Sequence, residues 1–248
     1  MGSTDRILEI IETVVAHQPT GVTHGDVVAR TGMPKTSVHR ILKDLTRLGY
    51  VWLNPETRKY RGTLKLASLG SMVVSNLDLR DYVHPRLLRL HQATDHICHA
   101  GIRDGRLGVY LDKIESRDYG IKLFSEVGKI FPLHGTSLGK VLLAFAEPAD
   151  IEDYLTGSLE HLTEKTVVDP ARLREELAAI RAQGYAVDHE ESTRGLMCVG
   201  APVYGTGGEV ICAISVTFPT YIFTERGIRP EIEAVLEHAT ALSAPGKR

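Results

Sequence analysis

A serine between two glycines at residues 135–139 has the residue types and the spacing of an acyl-transfer nucleophile. The segment reads Gly-Thr-Ser-Leu-Gly and fits the G-x-S-x-G turn that presents the catalytic serine of α/β-hydrolases. His134 stands immediately before it, and Asp188 and His238 follow Ser137 in the chain order of a hydrolase triad. Ester hydrolysis is therefore one chemistry that this sequence could perform.

The same turn is also compatible with binding alone. A glycine turn that leads into a helix presents free backbone N–H groups. These groups and the helix dipole both attract anions. A hydrolase would need several strands and an oxyanion loop before the serine, whereas no HGGG-type segment precedes Ser137. We therefore assign no catalytic residue. We expect Gly135, Ser137 and Leu138 to bind a small carboxylate, with Gly135 in a conformation that only glycine adopts cheaply.

A second group with ligand chemistry lies in the segment HICH. His96, Cys98 and His99 are possible zinc ligands, with His91 upstream. Because side chains alternate along a strand, His96 and Cys98 would share one face and His99 would point away. A complete set of ligands is not evident, so we predict neither a metal site nor a cofactor.

The composition is that of a soluble globular protein, with 43% apolar and 24% charged residues. The three cysteines are odd in number and widely spaced, which argues against a disulfide framework. No apolar run approaches the roughly 18 residues that a membrane span requires. These features predict a reduced, cytoplasmic protein without a membrane partner.

Charge is distributed unevenly along the chain. Residues 1–62 contain nine Lys or Arg and six Asp or Glu, a net charge of +3, whereas residues 63–248 carry −5. A basic segment on an acidic body suggests that the segment contacts a polyanion.

The pattern within the basic segment predicts a helix-turn-helix. Thr23 and Asp26 have the spacing of a capping box that opens one helix. Gly32 supplies the turn, and Pro34 suits the first position of the next helix. That helix has an apolar stripe and an opposite face of basic and hydroxyl groups. The predicted DNA contacts on this face are Lys35, Thr36, Ser37, His39, Arg40 and Lys43.

A β-hairpin follows in the segment YVWLNPETRKYRG. Its second strand is predicted to carry Arg58, Lys59 and Arg61. Basic residues on such a wing can reach phosphates or the minor groove. We therefore add Arg58 and Lys59 to the predicted DNA contacts.

A connecting helix is predicted at residues 63–80. Its apolar residues recur at steps of three and four, at Leu66, Leu69, Val73 and Leu77. Such a stripe is too long to leave exposed to solvent, and pairing with the same helix of a second subunit would bury it. The stripe therefore predicts a homodimer.

Residues 81–248 mix helices with hairpins. Pro85 is expected to open a separate helix, and Asp104–Gly105 to form the turn of a hairpin. A further helix is expected to begin near Ser137, and two strands around residues 205–208 precede a closing helix. Helices interspersed with antiparallel hairpins indicate an α+β sensor-type domain rather than a parallel doubly wound sheet.

The last hairpin predicts a binding pocket. Side chains alternate along a strand, so Leu196 and Cys198 share one face, as do Ser215 and Thr217 on the partner strand. Their mixed character fits an apolar slot with a few polar anchors.

These features together resemble the IclR family of bacterial transcriptional regulators. The resemblance covers nearly the whole chain in order and includes the segments PLHGTSLGK and GLMCVGAPV. It implies an N-terminal winged helix-turn-helix in residues 1–62, a linker helix in residues 63–80 and a GAF-like effector-binding domain in residues 81–248. It also implies homodimers, often paired into tetramers, on palindromic DNA operators.

The resemblance further implies an effector site formed by the glycine-serine turn and the face of the last hairpin. It assigns effector binding to Ser137, Leu138, Asp188, Leu196, Cys198, Ser215 and Thr217, and also to Gly120 and Leu123. The expected function is that of a one-component repressor or activator, in which a small organic carboxylate, aromatic acids included, changes DNA binding. A serine esterase with an appended DNA-binding domain is the alternative.

Overall fold

The computed structural model describes residues 2–75, 78–116, 125–222 and 227–244. The chain separates into two units, Met1–Val73 and Val74–Arg248. The first contains the helix-turn-helix and its wing, and the second is built on a six-stranded sheet. The predicted α+β class, with a winged head and a mixed C-terminal domain, is confirmed.

The first unit combines helices with a small sheet. Its elements are α1 (Ser3–Val15), β1 (Val22–Thr23), α2 (His24–Thr31), α3 (Lys35–Arg47), β2 (Val51–Leu53) and β3 (Lys59–Gly62), followed by α4 (Leu64–Ser75). The strands are antiparallel in the order β1-β3-β2. The core forms where the helices meet and includes Ile10, Val14, Val27, Val38, Leu42, Leu45 and Val51.

Local signals position the two helices of the helix-turn-helix. The Thr23 hydroxyl accepts a hydrogen bond from the N–H of Asp26 at 3.2 Å, and the Asp26 carboxylate accepts one from the N–H of Thr23 at 2.8 Å. The predicted capping box is therefore present. Gly32 ends α2 in the left-handed region, with a φ of 65°. α3 begins one residue later than predicted, because Pro34 has an extended ψ of 135° and precedes the helix.

The stripe predicted on the linker helix lies partly within the described residues. α4 covers Leu64–Ser75, whereas Leu77 lies outside the described ranges. Leu69 is 45% exposed and Leu66 is half-buried in the single chain. Apolar surface on α4 is thus open to a partner.

The second unit places helices on both faces of one sheet. Its elements are α5 (Asp78–Thr94), β4 (Ile97–Asp104), β5 (Leu107–Ile114), β6 (Ile130–Pro132), α6 (Ser137–Ala144), α7 (Pro148–Thr156), α8 (Pro170–Gln183), β7 (Ala186–His189), β8 (Leu196–Tyr204), β9 (Val210–Pro219) and α9 (Arg229–Leu242). The strands are antiparallel in the order β6-β5-β4-β9-β8-β7. Across the ranges described, no helix has both the length and the apolar character needed to cross a membrane.

α5 runs through Pro85, so the prediction that Pro85 opens a separate helix is wrong. A proline in a helix interior removes a backbone hydrogen bond at a cost of about 3 kcal/mol. Val83, Leu87 and Leu90 on the same helix are fully buried, and each such side chain contributes about 1.5–3 kcal/mol. This burial outweighs the local cost, and only the tertiary structure provides it.

Strand alternation gives the six-stranded sheet two different faces. On one, which we call the sealed face, α5 and α9 cover an apolar layer that includes Val199 and Val216. On the other, the cavity face, α6 packs over β8 and β9 beside Cys198, Ser215 and Thr217. The predicted alternation on the last hairpin therefore separates a closed apolar core from a site that is open to a ligand.

Candidate functional site

The exposed face of α3 carries the groups predicted to contact DNA. Lys35, Thr36, His39, Arg40 and Lys43 are exposed, and Ser37 is half-buried. The opposite face is buried in the core of the first unit through Val38, Ile41, Leu42 and Leu45. The basic and hydroxyl side chains are therefore accessible to a partner without any change in the fold.

His24 adds to this face a residue that the sequence pattern did not indicate. Its Nε2 lies 3.1 Å from the carbonyl oxygen of Lys35, and its ring centroid is 6.0 Å from that of His39. A lone histidine at the first residue of α2 gives no periodic signal, because its relation to α3 depends on how the two helices pack. His24 thus helps to position the start of α3.

The wing differs from the prediction at Arg58. This residue precedes β3 instead of lying in it, and its φ of 56° is in the left-handed region. The turn before it is closed by Asn54, whose Oδ1 accepts hydrogen bonds from the N–H groups of Glu56 and Thr57 at 2.9 and 3.1 Å. Arg58 is exposed at the end of this turn, whereas Lys59 is half-buried in β3. Arg58 is thus the more accessible of the two residues.

A cavity of about 280 Å³ lies between the start of α6 and the sheet. Six of the residues predicted for effector binding line it, namely Ser137, Leu138, Leu196, Cys198, Ser215 and Thr217. Sequence reasoning missed other lining residues, among them His99, Tyr110, Ser125, Phe131, Leu162 and Ser192. Gly120 and Leu123, also predicted for this site, lie outside the described residues.

The first turn of α6 places free N–H groups at the cavity. Thr136 caps the helix, and its hydroxyl accepts a hydrogen bond from the N–H of Gly139 at 3.0 Å. The N–H groups of Ser137 and Leu138 belong to the first turn, where a helix offers them no carbonyl partner. Both residues are buried and line the cavity. An anionic group placed here would receive hydrogen bonds and the favourable field of the helix dipole.

The strands contribute polar groups without charge. Ser215 and Thr217 alternate with apolar residues on β9, and the Thr217 hydroxyl lies 3.2 Å from the sulfur of Cys198. Burial, together with the nearby Asp188 carboxylate, holds the pKa of the Cys198 thiol well above its usual range. The thiol therefore stays protonated and acts as a weak hydrogen-bonding group rather than as a nucleophile.

Asp188 lies behind the cavity and does not line it. Its carboxylate accepts hydrogen bonds from the N–H of Glu191, at 2.7 Å, and from the hydroxyl of Ser192. Ser192 and Thr193 do line the cavity. Burial raises the pKa of Asp188 to about 6. The Asp188 carboxylate thus holds the loop that closes one side of the cavity.

Lys140 also holds this loop, through Glu191. It is fully buried in α6, and its Nζ lies 2.5 Å from a carboxylate oxygen of Glu191 and 2.6 Å from one of Glu176 on α8. A buried ammonium group requires such compensation, since removing its partners would leave an unpaired charge in the interior. The sequence pattern gave no indication of this ion pair, because it joins three elements that are distant in the chain.

Gly135 also lies outside the cavity lining. A glycine is required there because a side chain would lack space, and not because of the backbone conformation. It is not among the described glycines with positive φ, so the conformational expectation is wrong. A Cβ at Gly135 would lie 2.5 Å from Cδ1 of Leu162, which lines the cavity. A larger residue at this position would therefore displace Leu162.

The surroundings of Ser137 do not support ester hydrolysis. The ring of His134 is engaged elsewhere, because Nδ1 lies 2.8 Å from the Tyr154 hydroxyl and Nε2 lies 2.9 Å from a backbone carbonyl oxygen. His238 lies in α9 and contacts the backbone carbonyl oxygen of Arg86 in α5, on the sealed face of the sheet. Ser137 lies on the cavity face. Neither His134 nor His238 is therefore positioned to act as a base for Ser137.

His96 and His99 also lie on opposite faces of the sheet. His96 Nε2 lies 3.1 Å from the Glu231 carboxylate, and its ring stacks on Phe218 of the sealed face. His99 Nε2 lies 2.8 Å from the hydroxyl of Ser125 on the cavity face. Among the residues that the structure describes, no three potential ligands are grouped so that they could hold a metal ion.

Comparison with known proteins matches both units of the chain. Residues 71–244 match the family described as bacterial transcriptional regulator IclR C-terminal, and residues 3–54 match the IclR helix-turn-helix domain. The HTH-type transcriptional regulator XynR of Escherichia coli (strain K12) is 37% identical over 216 residues, which are 87% of this chain and 85% of XynR. KdgR of the same organism, also an HTH-type transcriptional regulator, is 32% identical over 245 residues, 98% of this chain and 92% of KdgR.

Solved structures share the architecture over almost the full length. The IclR protein of Thermotoga maritima superposes with a TM-score of 0.70 at 29% identity, covering 97% of this chain and 96% of that one. An IclR homolog from Microbacterium hydrocarbonoxydans, crystallised in complex with 4-hydroxybenzoate, superposes with a TM-score of 0.77 at 24% identity and covers 98% of both chains. At this identity the second likeness concerns the fold alone.

Proposed function

This chain belongs to the IclR family of bacterial transcriptional regulators, and we propose that it changes its binding to DNA when a small organic carboxylate occupies the cavity beside α6. The observation that carries the proposal is that the N-terminus of α6 meets a mostly apolar cavity. Ser137 and Leu138 supply unpaired N–H groups for the carboxylate. Ser215 and Thr217 supply hydroxyl groups, and Leu196 supplies an apolar wall.

An aromatic acid fits the walls of this cavity best. The rings of Tyr110 and Phe131 line it with their centroids 4.5 Å apart, and Leu162 adds an aliphatic surface. Stacked and tilted ring contacts favour a planar guest. The structural neighbour crystallised with 4-hydroxybenzoate shares only the fold with this chain, and that acid is a suitable first probe of the cavity.

For the DNA, we assign the specific contacts to the exposed face of α3 and the phosphate contacts to the wing. Arg40 and Lys43 lie on the exposed face, and Arg58 lies at the tip of the wing. The proposed domains are a DNA-binding head of residues 1–62, a linker helix of residues 63–80 and an effector-binding domain of residues 81–248.

The proposed assembly is a homodimer joined by the apolar stripe of α4, with pairing of two dimers into a tetramer. A two-fold dimer places two copies of α3 about one helical turn of DNA, or roughly 34 Å, apart and thereby reads a palindrome. Because the effector and the DNA would bind different arrangements of the two heads, each would change the affinity for the other.

Selection of binding sites from a random duplex library by the full chain tests this function. The expected result is a two-fold symmetric motif, and the affinity for that motif should change when benzoate or 4-hydroxybenzoate is added. An asymmetric motif would contradict the palindromic operator. Unchanged affinity in a saturating concentration of each acid that binds would contradict effector control.

A further inference from the structure

His99 and Ser125 form a second polar cluster in the cavity. His99 Nε2 lies 2.8 Å from Ser125 Oγ, and both side chains are buried and line the cavity. Within the described chain His99 makes no other side-chain hydrogen bond, so its Nδ1 is unpartnered. A neutral imidazole has a second ring nitrogen that can form a hydrogen bond, and in His99 this nitrogen is left for a ligand.

Strand register shows where this cluster lies relative to α6. Gly200, Ser215 and His99 are direct neighbours across β8, β9 and β4. Ser137 lies over Gly200, since a Cβ at Gly200 would be 3.3 Å from Ser137 Oγ. Adjacent strands are about 4.8 Å apart, so His99 lies roughly 10 Å across the sheet from Gly200. The cavity therefore has one polar end at α6 and another at His99.

These two ends suit a rigid ligand with a polar group at each end. The strand spacing separates the two ends enough for a benzene ring to lie between them, with a para substituent directed to each end. The Tyr110 ring beside His99, at a centroid distance of 5.3 Å, supplies an aromatic wall for such a ring. With its carboxylate at α6, the guest would bring its para substituent to His99 and Ser125.

The chemistry of His99 selects a hydroxyl for this substituent. Burial, reinforced by the charge of Lys113, lowers the pKa of His99 to about 3, so the imidazole is neutral. A neutral imidazole has one donor and one acceptor nitrogen, and a hydroxyl can pair with either. The neutral ring offers a second carboxylate no charge to pair with, and Lys113 is already paired with Glu115 at 2.6 Å. Lys129 is the other lysine near this end, and it lines the cavity as well.

We propose that His99, supported by Ser125, recognises a hydroxyl group para to the carboxylate of an aromatic effector. This inference rests on the proposed effector site and makes His99 a residue that determines specificity. The two ends of the cavity would therefore bind different groups of the ligand. The N-terminus of α6 binds the carboxylate that all such acids share, and His99 distinguishes one aromatic acid from another.

Calorimetric titration of the full chain with benzoate, 3-hydroxybenzoate and 4-hydroxybenzoate tests the proposal. The parent chain should bind 4-hydroxybenzoate about tenfold more tightly than benzoate, which is the effect of one net hydrogen bond. The increase in affinity over benzoate should be smaller for 3-hydroxybenzoate than for 4-hydroxybenzoate. His99→Phe keeps an aromatic ring but cannot form the hydrogen bond, so its affinities for benzoate and 4-hydroxybenzoate should become equal. Tyr110→Phe removes the neighbouring hydroxyl group and should keep the preference. Arg229→Ala, on α9 and outside the cavity lining, is the control.

The outcomes separate this inference from the proposed function. Equal affinities of the parent chain for benzoate and 4-hydroxybenzoate would overturn the role of His99 and leave the carboxylate site in place. A preference that survives His99→Phe but disappears in Tyr110→Phe would transfer recognition to Tyr110. If none of the three acids binds, the aromatic-carboxylate function fails and the role of His99 fails with it. Ser125→Ala provides a milder second variant, in which the ratio of the two affinities should be smaller than in the parent chain but larger than in His99→Phe.

Discussion

Gly139 lies against the backbone of Leu133, so closely that a Cβ at Gly139 would be 2.4 Å from the Leu133 carbonyl oxygen. Real Cβ atoms do not approach a backbone oxygen to this distance, so only glycine lets α6 pack against the segment before it. The second glycine of the G-x-S-x-G pattern is therefore required by packing, whether or not the serine performs chemistry.

Gly139→Ala should lower the free energy of unfolding by about 3 kcal/mol, because a methyl group forced into a filled interior displaces backbone. Urea denaturation measures the change. Gly25→Ala in α2 is the matched control, since a Cβ there would meet only the Thr23 hydroxyl at 3.7 Å, an ordinary contact. A similar loss of stability in both variants would contradict the packing explanation.

Asp188 should give the second unit a specific pH dependence. Its pKa of about 6, raised from an ordinary value of 3.8, means that the native state binds this proton more tightly than the unfolded chain. Protonation of Asp188 therefore adds about 3 kcal/mol to the free energy of unfolding. This contribution is fully present below about pH 4 and is lost as the pH rises through 6. Asp188→Asn should lack this change. The difference in unfolding free energy between the variant and the parent, measured by urea denaturation from pH 4 to 7, should therefore vary with pH. A constant difference would show that Asp188 titrates normally.

An acid should bind the cavity far more tightly than its primary amide. A charge-assisted hydrogen bond contributes about 1.5–3 kcal/mol, which corresponds to roughly 10- to 150-fold in affinity. Calorimetry with benzoate and benzamide measures this ratio. Ser137→Ala should keep most of this preference for the acid, because the backbone N–H groups remain. Gly135→Leu should abolish binding of the acid, because the larger side chain would displace Leu162. Equal affinity for acid and amide would direct the search to a neutral effector.

Arg40→Ala should weaken specific DNA binding by about 1–3 kcal/mol without changing the stability of the fold. Arg40 is exposed on α3, and the buried stripe of that helix is untouched. Fluorescence anisotropy at fixed salt with the selected motif measures the loss. Arg229→Ala is the control, because Arg229 lies in the second unit and pairs with Glu233 on its own helix. Unaltered affinity of the Arg40 variant would remove this residue from the interface.

Leu69→Glu should dissociate the proposed dimer and abolish the proposed binding to a palindrome. The substitution would place an unpaired charge in an apolar seam, at a cost of several kcal/mol. Ala67→Glu introduces the same charge on a different side of α4, where the residue is also exposed, and should leave the assembly intact. Light scattering reports the mass of each variant. A parental mass for Leu69→Glu would show that α4 does not join the subunits.

Features that depend on a few consecutive residues can be predicted from this sequence. The cap formed by Thr23 and Asp26 and the hairpin at Asp104–Gly105 need only local geometry. The shared face of Leu196 and Cys198 follows from strand alternation alone. These signals were sufficient for the helix-turn-helix and for the side of the cavity formed by α6 and the last hairpin.

The other side of the cavity depends on which strands become neighbours. His99 reaches it because β4 lies between β5 and β9, an order that no local pattern encodes. Leu162 and Ser192 lie on loops, and their position at the cavity likewise depends on tertiary structure that no local pattern encodes. Pro85 shows the converse, because a strong local signal was overridden by the burial of Leu87 and Leu90. Tertiary contacts between distant segments account for each of these differences.

The two faces of the β8–β9 hairpin also make this protein suitable for conversion into a biosensor. Positions that line the cavity and positions that maintain the apolar core alternate along the same two strands. A saturation library for a new analyte would vary Leu196, Cys198, Ser215 and Thr217. Met197, Val199, Ile214 and Val216 would be held constant. Because the varied side chains do not enter the layer under α5 and α9, most members of such a library should remain folded, and selection would act on ligand response instead of on solubility.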